Sequence, residues 1–340
     1  MKVLTFGEMM LRLKPPAYLR LLQTDSLEAT YGGAEANVAV SLSLFGDDAG
    51  VLTRFPENAV GQAALNTLRR YGVDTSRVLR GGARLGLYYF EKGTNIRPTN
   101  VIYDRAGSAF ATLSRGDLDW PKLLDGVDLF YFSGITPALS DEMAKVLLDA
   151  LQYCAGHGIK VACDLNYRGK MWTPEKAQAV MATLMPYVNL CIANDEDFEA
   201  TLGIRAFDGD MSRGIDQIAD FRAGMEEITK RYPHCTQVAS VLRNIHSVED
   251  SDWMAIYLKD GKFYESPVHT IHVMEGVGAG DAFAAGLLHG IVNGLPEQET
   301  VDFAIAASIL KLMISGDQNL VTEAEVRGVM QKGSGAKLAR

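Results

Sequence analysis

A glycine-rich segment near the carboxyl end of the chain has the residues needed for phosphate chemistry. It runs Gly276-Val277-Gly278-Ala279-Gly280-Asp281, and a helical pattern follows over residues 280–293. Glycines let the backbone approach a ligand closely, and the first N–H groups of a helix have no intrahelical partner. Such N–H groups, at the positive end of the helix dipole, bind anions. Asp281 could cap this helix or take a proton from an attacking hydroxyl.

Two common nucleotide-binding motifs do not match this segment. A Walker loop requires Gly-Lys-Ser/Thr, which does not follow here. A dinucleotide fingerprint should follow the first strand, but residues 7–10 are Gly-Glu-Met-Met. An NAD-dependent oxidoreductase is therefore a disfavoured alternative.

The elements that must position this segment alternate between short apolar runs and amphipathic helices. The strand-like runs are Val3–Phe6, Gly50–Thr53, Leu129–Phe132, Lys160–Cys163, Leu190–Ala193 and Gln237–Leu242. The helical patterns are Glu35–Phe45, Ala59–Arg70, Asp141–His157, Pro174–Met185, Ile215–Arg231, Gly280–Asn293 and Glu297–Ile314. Continuous apolar strands that alternate with helices predict a mostly parallel sheet covered on both faces.

Three further segments predict antiparallel strand pairs. Leu11–Tyr31 is irregular and Arg84–Thr112 contains two strand-like runs, so we expect a small antiparallel sheet that covers a site. Met254–Leu258 and Lys262–Ser266 flank an Asp-Gly pair, which predicts a hairpin.

Composition excludes several classes of protein. The chain has 340 residues, of which 47% are apolar, and 33 basic against 42 acidic residues give a net charge of −9. This balance argues against general nucleic-acid binding and against a polybasic membrane anchor. The four cysteines form no C-x-x-C pair, and the longest apolar runs are interrupted by His289 and Lys311. We therefore expect a cytoplasmic protein without a membrane span.

Three motifs carry a family resemblance. The segment Gly278–Phe283, followed by Gly286, resembles the second signature of the ribokinase-like (PfkB) sugar kinases. Gly32–Ala39, followed by Gly46, resembles the first signature, and Asn194-Asp195-Glu196-Asp197 is similar to the family's Asn-x-x-Glu magnesium motif. The resemblance implies a three-layer α/β sandwich with a mostly parallel central sheet and a small antiparallel β lid. It also implies ATP-dependent phosphorylation of a sugar hydroxyl.

The resemblance implies a division of the chain as well. Residues 1–10, 32–83 and 113–331 would form the nucleotide- and sugar-binding core, residues 11–31 and 84–112 the lid, and residues 332–340 a frayed tail. Lids of this family often pair across a dimer, and Leu87–Phe90 is apolar enough for a homo-oligomer to form there.

Catalytic and metal-binding roles follow from the matched motifs. Asp281 would be the catalytic base, and the N–H groups of Gly278, Ala279 and Gly280 would hold the transferring phosphoryl group. Mg²⁺ would be held by Asn194 and Asp197, in part through water.

Further residues resemble a subgroup that phosphorylates 2-keto-3-deoxygluconate at its terminal hydroxyl. Its substrate carboxylate suits the fork of an arginine. The substrate contacts implied by the family and this subgroup, besides Asp281, are Gly32, Gly33, Asn37, Tyr89, Tyr103, Arg105 and Arg168. The ATP contacts implied are Asn166, Arg168, Leu242, Arg243, Gly278, Gly280, Ala307 and Asn319.

Departures from the family pattern leave some properties open. Glu275 replaces an aspartate that often helps hold a monovalent cation, so the need for potassium stays open. Asp197 is one methylene shorter than the family's glutamate. A kinase for fructose, ribose or a phosphosugar is the alternative within the family. A catalytically silent sugar- or nucleotide-binding regulator would be expected to lose Asp281 or the glycines.

Overall fold

Nine strands form one large sheet in the computed structural model, which describes residues 1–332. The predicted frayed tail, residues 332–340, lies outside the described residues except for Lys332, where the last helix ends. In chain order the strands are β1 (Lys2–Phe6), β2 (Met10–Lys14), β3 (Glu28–Gly32), β4 (Asp48–Leu52), β5 (Arg54–Phe55), β6 (Leu79–Arg80), β7 (Leu87–Glu91), β8 (Asn100–Asp104), β9 (Leu129–Ser133), β10 (Lys160–Asp164), β11 (Leu190–Ile192), β12 (Gln237–Ile245), β13 (Asp250–Lys259), β14 (Lys262–Glu265) and β15 (His269–His272).

The large sheet confirms the predicted mostly parallel arrangement. Its order is β14-β13-β12-β11-β10-β9-β1-β4, and β15 also pairs with β13. The six strands from β12 to β4 are parallel, whereas β13, β14 and β15 pair in antiparallel fashion. The β13–β14 turn has positive φ at Asp260 (49°) and Gly261 (75°), the two-residue geometry that Asp-Gly favours.

Helices cover both faces of this sheet. In chain order they are α1 (Ala34–Leu44), α2 (Ala59–Arg70), α3 (Trp120–Leu123), α4 (Ile135–Ala138), α5 (Asp141–His157), α6 (Pro174–Leu184), α7 (Asp197–Leu202), α8 (Ile218–Arg231), α9 (Ala279–Val292), α10 (Glu297–Lys311) and α11 (Glu323–Lys332). Short 3-10 helices span Arg115–Asp117, Met185–Tyr187, Met211–Arg213 and Ile215–Gln217. The predicted helix over 215–231 therefore begins as a 3-10 turn. None of the described helices is long and apolar enough to cross a membrane.

The apolar run of β9 shows how the sheet is buried on both faces. Phe130 and Phe132 belong to the core shared with α5, α6 and α8. Leu129 and Tyr131 belong to the core shared with α1, α9 and α10. Successive side chains of a strand point to opposite faces, so a strand covered twice is apolar throughout.

A separate four-stranded sheet, here called the small sheet, has the order β3-β2-β7-β8. Its outer pairs are antiparallel and its central pair, β2–β7, is parallel. Tyr88 and Phe90 point inward and pack with Met10, whereas Tyr89 lies opposite Ile102, which is 48% exposed. The strands come from the two segments predicted to form the lid, extended by Met10 and Gly32.

Candidate active site

The site is a cavity of about 490 Å³ between the small sheet and the carboxyl ends of the parallel strands. Ligands of parallel α/β sheets bind at this edge. The large sheet supplies the end of β10 and the loop after β11, and the small sheet supplies β7 and β8. Of the predicted site residues, those that line the cavity are Gly32, Gly33, Asn37, Tyr103, Arg105, Asn166, Arg168, Asn194, Asp197, Arg243, Gly278, Gly280 and Asp281.

The anion-binding turn, Gly276–Gly280, leads directly into α9 at one wall of the cavity. Gly278 has φ +80°, and a Cβ on it would lie 2.1 Å from the carbonyl oxygen of Asp317. Only glycine fits such a position. The first bond of the helix runs from Ala282 N–H to Gly278 O, so the preceding N–H groups have no partner within the helix. The turn can therefore bind an anion.

Asp281 lies beside this turn with a side chain suited to general base catalysis. It is 8% exposed, and one carboxylate oxygen accepts a hydrogen bond from Asn37 Nδ2 at 2.7 Å. Burial raises the pKa of Asp281 to about 7, although Asn37 and Arg168 oppose the rise. A carboxylate with a pKa near neutrality can accept a proton efficiently.

Asn37 and Glu35 connect α1 to the rest of the site. Asn37 Oδ1 accepts from Gly33 N at 3.4 Å, so this amide holds the backbone of Gly33 and the carboxylate of Asp281 together. Glu35, which the sequence reasoning missed, accepts from the backbone N–H of Ser133 at 3.0 Å and from its hydroxyl at 2.6 Å. Glu35 thus fastens α1 to the end of β9.

The residue that follows β8 is an arginine that lines the cavity. Arg105 Nε donates to Glu8 at 2.7 Å, and Nη2 contacts the same carboxylate oxygen. Arg105 Nη1 has only the sulfur of Met171 at 3.7 Å as a described partner. Arg105 does not pair with the neighbouring Asp104, which instead accepts a hydrogen bond from Arg84 at the surface, at 2.8 Å. Arg105 therefore lines the cavity with one nitrogen, Nη1, that has no carboxylate partner among the described residues.

Four residues predicted to contact the substrate or ATP do not line this cavity. Tyr89 points away from the cavity, and its neighbour Tyr88 takes that place because side chains alternate along β7. Leu242 is fully buried in the core, whereas Arg243 next to it lines the cavity. Ala307 and Asn319 lie outside the cavity lining.

The last two residues contact each other inside the protein. Asn319 Nδ2 donates to Ala307 O at 3.2 Å, and the two residues are 1% and 0% exposed. They therefore tie the loop before α11 to helix α10. Ala279 is 2% exposed, so it can offer the cavity its backbone N–H but little of its side chain.

The predicted metal residues hold the backbone around them. Asp197 accepts from Tyr167 N at 2.8 Å and from Asn194 N at 3.0 Å, while Asn194 Oδ1 accepts from Val241 N at 2.8 Å. Burial raises the pKa of Asp197 to about 6, against the effect of its two backbone hydrogen bonds. Within residues 1–332 no group of three or more Asp, Glu, His or Cys side chains forms a metal cage.

The same edge still fits a hydrated magnesium ion. Asp195 is 8% exposed and lines the cavity, and its Oδ1 is buried without a hydrogen-bond partner. Its other oxygen contacts Arg243. Mg²⁺ keeps several waters and takes one or two carboxylates in addition to substrate phosphates. Asp195 and Asp197 can provide such carboxylates.

A buried charge cluster, which the sequence reasoning missed, joins the small sheet to the anion-binding turn. Arg12 of β2 is 1% exposed, with Nη1 at 2.8 Å from Asp317 and Nη2 at 2.6 Å from Glu275. Tyr88 OH donates to Asp317 as well. Burial alone would raise the pKa of Glu275, but Arg12 holds it below its usual value.

Comparison with known proteins gives consistent matches over the whole length. The model of the pfkB family carbohydrate kinases matches residues 1–324. A 2-dehydro-3-deoxygalactonokinase of Haloferax volcanii is 34% identical over 98% of this chain and 97% of its own.

Solved structures agree in fold as well. The crystal structure of 2-dehydro-3-deoxygluconokinase from Thermotoga maritima has a TM-score of 0.93 and 44% identity, covering 97% of this chain and 99% of that one. A PfkB family carbohydrate kinase from Listeria grayi has a TM-score of 0.89 and 34% identity, covering 97% and 100%. These matches confirm the ribokinase-like fold expected from the sequence.

Proposed function

Because the chain belongs to the pfkB family of carbohydrate kinases, we propose that it phosphorylates 2-keto-3-deoxygluconate with ATP. The product would be the 6-phosphate, since the reaction is proposed at the terminal hydroxyl. The observation that carries this proposal is that Arg105 and Arg168 line the same cavity as Asp281. A sugar acid has a carboxylate for a guanidinium to bind and a distant hydroxyl for a base to activate.

The residues of the site have separate tasks in the proposed reaction. Asp281 takes the proton of the attacking hydroxyl, whose oxygen forms a bond to the γ-phosphorus as the bond to ADP breaks. The N–H groups at the start of α9 hold the negative charge of the transferring group. Magnesium, when bound with ATP, supplies further positive charge at the phosphates. We assign nucleotide binding to Asn166, Arg168 and Arg243, which line the same cavity.

The names of two relatives support the substrate class and differ in its stereochemistry. The Thermotoga maritima protein is named for the glucono compound and the Haloferax volcanii protein for the galactono compound. The galacto epimer is therefore a second candidate. The test is ADP release from MgATP with each epimer, fructose, ribose and fructose 6-phosphate. Turnover with fructose, ribose or fructose 6-phosphate, but with neither keto acid, would contradict the proposed substrate and leave the kinase activity standing.

Loss of the Arg105 guanidinium should weaken binding of the sugar acid. For Arg105→Met we expect the KM for the keto acid to rise about 10- to 100-fold, because hydrogen bonds to charged groups contribute about 1.5–3 kcal/mol. The KM for ATP should change little. Steady-state kinetics checks both, and thermal unfolding checks that the unpaired Glu8 has not unfolded the small sheet.

Arg84→Met is the matched control for that variant. Arg84 also lies at the small sheet, but it pairs with Asp104 at the surface and does not line the cavity. Its removal should leave both KM values unchanged. Equal effects of the two variants would remove Arg105 from substrate binding.

Potassium dependence, which the sequence left open at Glu275, can be addressed from the contacts of that carboxylate. One oxygen accepts from Gly316 N at 2.9 Å and pairs with Arg12, and the other lies 3.5 Å from Lys14 Nζ. Protein cations already neutralise Glu275, so we propose that the reaction needs no potassium. Turnover in potassium, sodium and tetramethylammonium chloride should agree within about twofold, a barrier difference below 1 kcal/mol. A tenfold or larger stimulation by potassium would disprove this.

A further inference from the structure

Lys311, the last residue of α10, is a buried lysine to which the proposed reaction assigns no task. It is 0% exposed, and its ammonium donates to Ile314 O at 2.9 Å. Among the described residues no carboxylate oxygen lies within 4.0 Å of Nζ. Burial of a charged group without a close counter-ion is costly. Burial accordingly lowers the pKa of Lys311 to about 8.

The side chain of Lys311 runs directly behind the anion-binding turn. A Cβ placed on Gly278 would lie 3.3 Å from Lys311 Cε, so no other side chain separates the lysine from the turn. The charged groups that act on its ammonium are Glu275, Asp317, Asp281 and Arg12. Three of these four groups are acidic, but none of the described carboxylates forms an ion pair with Lys311. Its positive charge is therefore not neutralised by a single carboxylate.

Two helix ends meet at this place with opposite electrostatic character. The carboxyl end of α10 presents carbonyl oxygens, including Ile314 O just beyond it, which favour a cation. The amino end of α9 presents free N–H groups, which favour an anion. Lys311 lies between the two ends and is held by the first.

We propose that Lys311 is a positioning residue that supports the Gly276–Gly280 turn from behind and supplies a fixed positive charge beneath it during phosphoryl transfer. This inference rests on the proposed kinase function. A preorganised charge near the place where negative charge develops lowers the barrier more than it strengthens binding of the ground state. An apolar side chain of similar length would fill the same space without the cost of burying a charge. Packing alone therefore does not explain why a lysine occupies this position.

Two uncharged variants separate charge from structure. Lys311→Met removes the charge and the donor, whereas Lys311→Gln removes the charge and keeps a donor for Ile314 O. We expect both to lower kcat by about 10²-fold, the effect of losing one preorganised donor, with the KM for ATP changed less than about threefold. Thermal unfolding should show both variants folded, and if the methionine variant is not, the glutamine variant decides alone.

A binding measurement makes the test independent of the sugar. With Mg²⁺, ADP and aluminium fluoride, which together mimic the transferring phosphoryl group, both variants should lose affinity by about the same 10²-fold. Affinity for MgADP alone should stay unchanged. Failure of the keto acid as substrate would refute the proposed function, while this measurement would still decide the role of Lys311.

Lys14→Met is the control for loss of a lysine from the same charged region. Lys14 belongs to β2, and its ammonium, unlike that of Lys311, pairs with carboxylates: Glu275 at 3.5 Å and Glu28 at 3.6 Å. It should keep wild-type kcat and wild-type affinity for the aluminium fluoride complex. The proposal is overturned if Lys311→Met or Lys311→Gln keeps wild-type values. It is also overturned if Lys311→Gln has both a higher melting temperature and a correspondingly higher kcat than Lys311→Met, because the loss of activity would then follow stability and not charge.

Discussion

Replacement of Asp281 by asparagine is expected to lower kcat by about 10³-fold, within the range that a positioned general base contributes. Asparagine has the same shape and can still contact Asn37, but it cannot accept the proton of the attacking hydroxyl. The KM values for ATP and sugar should change little, because the anion-binding turn and the arginines are unaltered. Steady-state ADP release, with the keto acid or whichever sugar is turned over, measures both quantities.

Asp302→Asn is a suitable control for this variant. Asp302 is a half-buried carboxylate on α10 whose pKa is also raised by burial, and it does not line the cavity. Its removal should leave kcat unchanged. If Asp281→Asn kept more than about a tenth of the wild-type kcat, a loss of less than about 1.4 kcal/mol, Asp281 would not be the base.

The raised pKa of Asp281 gives the reaction a pH dependence. A base must be ionised to accept a proton, and burial raises the pKa of this carboxyl from 3.8 to about 7. The value of kcat/KM should therefore rise as pH passes 7 and the free enzyme loses that proton, and it should fall again above about pH 8, where the Lys311 ammonium loses its charge. A profile that is already flat from pH 5 upward would contradict this assignment.

The second large effect concerns stability. Arg12→Met should lower the free energy of unfolding by about 3–5 kcal/mol, because it leaves buried carboxylates without their partner. Glu275 is 3% and Asp317 is 5% exposed, so water cannot replace the guanidinium. Urea unfolding followed by circular dichroism at pH 7.5 measures the change.

Removal of the carboxylates tests whether the loss comes from their unpaired charge. Combined with Glu275→Gln and Asp317→Asn, the Arg12→Met variant should regain most of the lost stability. Arg84→Met, which breaks only a surface pair, should cost about 0–1 kcal/mol. A cost that small for Arg12→Met would show that the cluster does not hold the small sheet in place.

Much of the scaffold could be predicted because local patterns specify it. Apolar runs gave the parallel strands, and Asp260-Gly261 gave the hairpin between β13 and β14. Gly278 could be identified as a special position because it directly precedes a helical pattern and glycine is the residue that readily adopts the positive φ found there. In each case the local conformation depends mainly on residues that are close in sequence.

The small sheet was harder to assign from sequence. Residues 87–90 are all apolar or aromatic, so alternation does not say which of Tyr88 and Tyr89 faces the cavity. Which tyrosine faces the cavity depends on how the small sheet packs over the large sheet, and this packing could not be predicted from the sequence alone.

The charged cluster was invisible for a related reason. Arg12 and Asp317 are separated by 305 positions and meet only after the small sheet packs on the core. An arginine in an alternating strand is ordinarily exposed, and its burial becomes apparent only with its partners in place. Lys311 gave one local signal, since it is the single charge in the apolar run 304–314.

The way the small sheet is joined to the core limits how the cavity can open. Three residues separate β2 from β1, and Gly33 alone separates β3 from α1. A Cβ at Gly33 would lie 2.0 Å from Glu8 O, so the two junctions are packed against each other. Because Arg12 also ties β2 to Glu275 and Asp317, we expect β2 and β3 not to move away from the core as one rigid unit. Tyr88 fixes β7 to the same cluster, so we expect the sugar acid to enter and leave past β8, the edge strand that pairs only with β7.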